Sequence, residues 1–152
     1  MPVKPRKGQM LYLRPQQPGM LEHVVRTPEV YLVPRSSGKI LVGATVEDVG
    51  FDKGVQPEVI HQLQNIAARY LPELAQAAVL ESWAGLRPGS PDDLPLIGPT
   101  GVPGVFIASG HFRNGILLAP VTAQIVADLV TGKPVNTNIS AFSPERFMVT
   151  KA

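Results

Sequence analysis

The sequence GHFRNGILLAP, residues 110–120, decides how the C-terminal part of this chain folds. It follows the apolar segment VFIA (105–108) and leads directly into VTAQIVADLV (121–130). This order predicts a buried strand, a turn bracketed by glycines, and a helix from about residue 116 to residue 131. Such a turn places backbone N–H groups and one arginine at a helix N-terminus, which favours an anionic or electron-rich ligand.

Two arginines in apolar surroundings are candidate anion-binding residues. Arg113 lies within the otherwise uncharged turn, and Arg87 follows an apolar strand that ends at Leu86. A planar guanidinium can bind a carboxylate through two parallel hydrogen bonds. The alternatives are a solvated side chain for Arg113, a structural ion pair for Arg87, and a turn that merely connects a strand to a helix. Asn114 is the predicted N-cap of the helix in either case.

The composition excludes several classes of function. The chain has 152 residues, no cysteine and a formal net charge of only +2. Disulfides, thiolate metal sites and a cysteine nucleophile are therefore excluded. The three histidines lack metal-ligand spacing, so no metal site is expected, and no dense basic run indicates a nucleic-acid partner. The sequence also lacks the G-x-S-x-G and P-loop motifs.

Localisation is expected to be cytoplasmic. The absence of cysteine is compatible with a reducing compartment, and the N-terminus carries no apolar signal segment. No apolar run is expected to approach the roughly 18 residues that cross a bilayer, so no membrane partner is predicted.

The remaining pattern predicts an α+β fold with a mostly antiparallel sheet and one flanking helix. The helix spans about residues 57–71, with an apolar face formed by Val59, Leu63, Ile66, Ala67 and Tyr70. A hairpin is predicted around the turn 35–39. A loop is predicted over 88–103, interrupted by the short apolar piece 96–97, and an irregular tail is predicted after residue 135. Further strands are predicted at residues 9–13, 21–25, 30–34, 40–44 and 78–86.

Three motifs in a fixed order resemble the C-terminal part of the D-amino-acid-oxidase-like flavoproteins, and most closely the glycine oxidases of thiamine biosynthesis. They are WAGLRPG (83–89), LIG (96–98) and GHFRNGILLAP (110–120). The segments KGQ (7–9), YLVPR (31–35) and VGAT (42–45) extend the resemblance over nearly the whole chain.

This resemblance implies a role for each candidate residue. Arg87 would bind the carboxylate of a small amino-acid substrate, Arg113 would line the same pocket, and the hydroxyl of Tyr31 would add a contact. The residues implied to lie against the flavin of FAD are His111, Phe112, Arg113, Asn114, Gly115, Ile116 and Leu117. A tyrosine on a strand is more commonly a packing residue, and this alternative stays open for Tyr31.

The family's reaction is implied as well. Hydride passes from the amino-acid Cα to the flavin, the imine is hydrolysed, and oxygen reoxidises the flavin with release of hydrogen peroxide. The chemistry belongs largely to the cofactor, so no catalytic acid or base is assigned in this chain.

One departure from the family pattern shapes the remaining expectations. The strand–GxGxxG–helix unit that binds the ADP part of FAD is missing from the sequence. We therefore expect a substrate-binding domain over 1–95, followed over 96–152 by the last strand and helix of a truncated flavin domain and a tail. The chain would be a fragment or split half that binds FAD weakly or not at all alone. Strand 105–108 would then be orphaned from its parallel sheet and expose an apolar edge, which we expect a homodimer or a rearranged C-terminal segment to cover. A non-catalytic carboxylate-binding or interaction module is the alternative function.

Overall fold

A computed structural model describes residues 1–147 and separates the chain into two compact units. One unit is Lys7–Leu86, and the other joins Met1–Arg6 to the described residues from Arg87 onward. The α+β prediction is confirmed. The assignment of a substrate domain and a flavin-domain segment, divided near residue 95, stays a prediction because compactness alone does not assign a role.

An antiparallel sheet forms most of the unit Lys7–Leu86. The strand order is β2-β3-β4-β1-β5. The predicted hairpin is confirmed, since Pro34 pairs with Ile40 around the turn 35–39. The segment 21–25 contributes only the start of the short β2, which pairs with β3. The strands are β1 (Lys4–Arg14), β2 (Val25–Arg26), β3 (Tyr31–Pro34), β4 (Ile40–Gly43) and β5 (Ala78–Gly89).

Helix α1 (Pro57–Tyr70) contributes to the same hydrophobic core as the sheet, which includes Leu11 and Leu13 of β1. The extent of the helix matches the prediction, but the predicted apolar face is partly wrong. The buried helix residues are Ile60, Leu63, Gln64 and Ala67. Tyr70 is 44% exposed, because its hydroxyl bonds the carboxylate of Glu29 at 3.2 Å rather than entering the core.

A buried amide explains why a glutamine lies on the inner face of α1. The side-chain nitrogen of Gln64 donates hydrogen bonds of 2.9 Å to the backbone carbonyls of Leu74 and Ala77. These carbonyls flank the end of a short 3-10 turn, Pro72–Gln76, that leads into β5. Gln64 therefore satisfies two acceptors that water does not reach, and it fixes the path from helix to strand.

A fully buried lysine holds the segment that follows β4. The ammonium of Lys7 on β1 lies 2.9 Å from Asp52 and 3.7 Å from Glu47. The buried side chain of Gln9 also donates to Glu47. The hydrogen bond from Lys7 lowers the pKa of Asp52. Paired charges make burial of the lysine tolerable, and they tie residues 47–52 to the first strand.

The unit that contains Arg87 has its own two-stranded antiparallel sheet, formed by β6 (Leu96–Pro99) and β7 (Phe106–Ser109). The loop prediction over 88–103, interrupted by the short apolar piece 96–97, is wrong for residues 96–99, which form a strand. The expectation that strand 105–108 would be orphaned is also wrong, since Leu96 pairs with Ser109. Leu96 and Ile97 are buried, and the ladder with β7 gives this short apolar segment the hydrogen bonds of a strand.

Helix α2 (Gly115–Thr131) contacts both strands of this small sheet. Gly132 adopts the left-handed conformation at φ +68°, which confirms its role at the helix C-terminus. The tail prediction is only partly right, because residues 140–147 form two 3-10 turns. Arg146 in the second turn binds Asp92 at 2.9 Å, and this contact lowers the pKa of Asp92 well below its usual range.

One helical stretch, Phe112–Thr131, is long and apolar enough to cross a membrane by length and composition alone. The expectation that no apolar segment approaches that length is therefore wrong. Length and composition are weak evidence, because helices of soluble proteins pass the same test.

We expect Gln64→Leu to lower the free energy of unfolding by about 2 kcal/mol or more. The substitution keeps the side chain near its present volume but leaves two buried carbonyls without a donor, and each such loss costs about 1–3 kcal/mol. Chemical denaturation measures the change. Gln62→Leu, on the exposed face of the same helix, is the matched control, and equal effects of the two substitutions would contradict the role given to Gln64.

Candidate functional site

The turn between β7 and α2 has an unusual backbone. Gly110 adopts φ +74°, and Phe112 adopts φ +48°, a conformation that costs energy for a bulky residue. The N–H of Asn114 donates to the carbonyl of His111 at 2.9 Å. Asn114 occupies the predicted N-cap position, but its side chain makes no capping hydrogen bond. The space around Gly115 would accommodate a Cβ, because that atom would lie 3.6 Å from the Cβ of His111, an ordinary van der Waals distance.

This backbone places the Phe112 ring beside two guanidinium groups. The guanidinium carbon of Arg113 lies 5.1 Å from the ring centroid, and that of Arg87 lies 5.9 Å away. These distances are in the range of cation–π contacts. The structure thus brings together two of the three residues predicted to bind substrate. Among the described residues, no carboxylate forms an ion pair with the exposed Arg113.

A backbone bridge explains how Arg87 reaches this position. Gly89, two residues beyond Arg87, pairs with His111 in an isolated antiparallel bridge. A Cβ at position 89 would lie 2.6 Å from Cγ of Arg6, so a larger residue there would displace the Arg6 side chain. The end of β5 is therefore fastened directly to the turn that carries Phe112 and Arg113.

His111 has a structural partner in the helix. Its Nε2 lies 3.0 Å from the hydroxyl of Thr122, one of the two buried residues of α2. Burial lowers the pKa of His111, so the imidazole is neutral at neutral pH. This side chain therefore adds no positive charge to that of the two arginines.

Ile116 and Leu117 extend into solvent from the first turn of α2. Their exposed fractions are 96% and 78%, and the two side chains are adjacent in sequence. Together with the helix N-terminus, they form an apolar surface with a partial positive charge beside it.

Tyr31 lies in the other unit, on β3, and is half-buried. Its hydroxyl donates to the sulfur of Met10 at 3.3 Å, and its ring lies over Gly43 of the neighbouring strand. The sequence patterns gave no role to Met10, and they included Gly43 only within the segment VGAT of the family resemblance. Their contacts with Tyr31 depend on the pairing of β4 with both β1 and β3. The sequence of a single strand does not reveal this pairing.

Comparison with known proteins assigns the family. Residues 1–129 match the family model described as FAD dependent oxidoreductase. The chain belongs to this family. The predicted resemblance to the oxidase family is confirmed.

The chain is also similar to individual members of the family, including glycine oxidases. The bifunctional protein ThiO/ThiG of Synechocystis is 44% identical over 99% of this chain and 24% of its own length. The glycine oxidase of Pseudomonas putida is 41% identical over 95% of this chain and 40% of its own length. The crystal structure of glycine oxidase from Geobacillus kaustophilus has a TM-score of 0.90 and 37% identity, and the match covers 98% of this chain and 40% of that one. The chain thus spans well under half the length of these relatives.

FAD is the cofactor of this family. The surface formed by Ile116, Leu117 and the α2 N-terminus fits part of that cofactor, because a planar, electron-rich ring suits exposed apolar side chains next to a helix dipole. The sequence offers no G-x-G-x-x-G turn for the diphosphate. The residues present therefore fit the flavin ring and not the ADP part.

We expect the stability of the folded chain to fall as pH decreases through the histidine range, with His111 as one cause. Because its pKa is lowered on folding, the stabilisation is fully present above the unfolded pKa of about 6.5 and is lost as the pH falls below it. Thermal melts across this range, with His111→Gln for comparison, measure the contribution. His61→Gln, on the exposed face of α1, is the control. An NMR titration giving His111 a pKa above 6.5 would contradict the prediction.

Proposed function

We propose that this chain is the substrate-binding part of a glycine-oxidase-like flavoenzyme. The overall reaction is oxidative deamination of glycine or another small amino acid to the oxo acid, ammonia and hydrogen peroxide. Family membership and the similarity to glycine oxidases support this proposal. The name ThiO/ThiG of another relative supports a connection with thiamine biosynthesis. We propose the cytoplasm as the location.

The arrangement of Arg87 and Arg113 around Phe112 carries the proposal. Two guanidinium groups within 6 Å of one ring centroid form a positively charged cluster. An ionised amino-acid carboxylate is the natural ligand of such a cluster. Arg87, half-buried and anchored through Gly89, is assigned the direct carboxylate contact. Arg113 is assigned the pocket wall.

Tyr31 is proposed to donate its hydroxyl to the substrate. Its present acceptor is a thioether sulfur, which accepts hydrogen bonds weakly. A carboxylate oxygen is a much stronger acceptor, so the exchange of partners is favourable.

FAD, when bound, supplies the electron acceptor for the substrate Cα–H bond. Residues His111 to Leu117 are proposed to lie against its ring, where the N-terminus of α2 favours negative charge. The ADP part requires a dinucleotide-binding portion whose motif this sequence does not contain. That portion is supplied by the same polypeptide or by a partner chain.

A non-catalytic carboxylate-binding or interaction module is the second candidate. The observation that favours it is the exposed apolar surface at Ile116 and Leu117, since such surfaces also mark protein interfaces. A homodimer is one form of such an interaction, and light scattering of the purified chain tests it.

Substitution of Arg87 tests the binding proposal. We expect Arg87→Ala to weaken glycine binding by about tenfold or more, because a hydrogen bond between charged groups is worth about 1.5–3 kcal/mol. Calorimetry or NMR titration with glycine, sarcosine and D-alanine measures the affinity. Arg14→Ala, at the exposed end of β1, is the control. The interaction module is favoured if none of these ligands binds the unsubstituted chain.

We also expect the isolated chain to show no oxidase turnover and little or no bound flavin. The contacts to the diphosphate and adenosine supply much of the affinity for such a cofactor, and this sequence lacks the motif that provides them. The checks are the visible absorbance of the purified protein and a peroxide assay with glycine. A yellow protein that produces peroxide would overturn the expectation.

A further inference from the structure

Three residues on adjacent strands form one row across the sheet of the unit Lys7–Leu86. Gly43 on β4 pairs with Met10 on β1 on one side and with Tyr31 on β3 on the other. Residues paired in this way point to the same face of a sheet. The row therefore places one glycine between a methionine and a tyrosine.

The Tyr31 side chain crosses this row. A Cβ at position 43 would lie 2.6 Å from its hydroxyl oxygen, 2.7 Å from the ring carbon that bears the hydroxyl and 3.0 Å from Cγ of Met10. The hydroxyl itself lies 3.3 Å from the Met10 sulfur. The ring thus passes over the middle strand and ends against the far one, which is possible only because position 43 has no side chain.

We propose that Gly43 and Met10 are positioning residues that hold the Tyr31 hydroxyl ready for a ligand carboxylate. This inference rests on the proposed function, in which Tyr31 contacts the substrate. Gly43 supplies the space over which the ring lies. Met10 contacts the end of the ring, and its sulfur accepts the hydrogen bond from the hydroxyl.

The chemistry of the acceptor suits this role. A buried or half-buried hydroxyl without a partner is costly, so the free protein needs an acceptor at this point. A carboxylate or amide oxygen on β1 would compete strongly with the ligand for the same proton. A thioether satisfies the hydroxyl weakly and releases it at little cost when an ionised carboxylate arrives.

Fluorine NMR of the full chain carrying 3-fluorotyrosine tests the proposal. The sequence has three tyrosines, and the Tyr31 signal is assigned from its loss in Tyr31→Phe. The variants are Gly43→Ala and Met10→Ala. Gly85→Ala is the matched control, since a Cβ at this strand glycine would meet nothing within 4 Å. Each protein is titrated with glycine and with acetate, a probe that carries only the carboxylate.

We expect both variants to move or broaden the Tyr31 signal and to leave those of Tyr12 and Tyr70 in place. We expect affinity for both probes to fall about as much as in Tyr31→Phe, roughly tenfold. Combining Met10→Ala with Tyr31→Phe is expected to add no further loss, because both act through one hydroxyl. Gly85→Ala is expected to match the unsubstituted chain.

Three outcomes decide against parts of the proposal. Met10→Ala removes the sulfur that accepts the Tyr31 hydrogen bond and leaves the strand pairing in place. An unchanged Tyr31 signal in this variant overturns the positioning role, even if Gly43→Ala does not fold. Losses that add in the double variant also overturn it. Absence of binding to the unsubstituted chain contradicts the proposed function and the ligand-binding part of this inference, while the Tyr31 signal still decides whether Gly43 and Met10 hold the ring.

Discussion

The pairing of β4 with strands on both sides is the constraint on which most of the unit Lys7–Leu86 depends. This strand has only four residues, and all four are buried. One face contributes Ile40 and Val42 to the core shared with α1. The other face brings Gly43 under the ring of Tyr31. A one-residue slip would exchange the two faces, so the register that fills the core also determines where the tyrosine hydroxyl ends.

Much of this arrangement could be predicted from the sequence, because its signals are local. The turn 35–39 between two apolar runs specifies the hairpin, and the spacing of Leu63 and Ala67 with flanking prolines specifies α1. The inward position of Gln64 could not be predicted. The Gln64 side chain can be buried because it donates to two backbone carbonyls that lie ten and thirteen residues away in sequence. Hydrophobic periodicity carries no information about these carbonyls.

In the candidate site, too, local features could be predicted from the sequence, whereas contacts between distant residues could not. The turn after β7, the helix α2 and the grouping of Arg87 with Arg113 follow from short motifs and a family resemblance. The strand β6 was missed because Leu96 and Ile97 form too short an apolar run to identify a strand without its partner. Met10 was missed for a similar reason. Its contact with Tyr31 crosses the intervening strand β4, and such a contact exists only after the sheet has formed.

The charges near Phe112 suit a ligand that carries a negative charge. Two guanidinium groups lie near the Phe112 ring, and burial lowers the pKa of the nearby His111, so that imidazole is neutral at neutral pH. A carboxylate can accept paired hydrogen bonds from guanidinium groups, as the proposed function requires. In the proposed function, the arginines hold and orient the substrate, and the bound cofactor accepts the hydride.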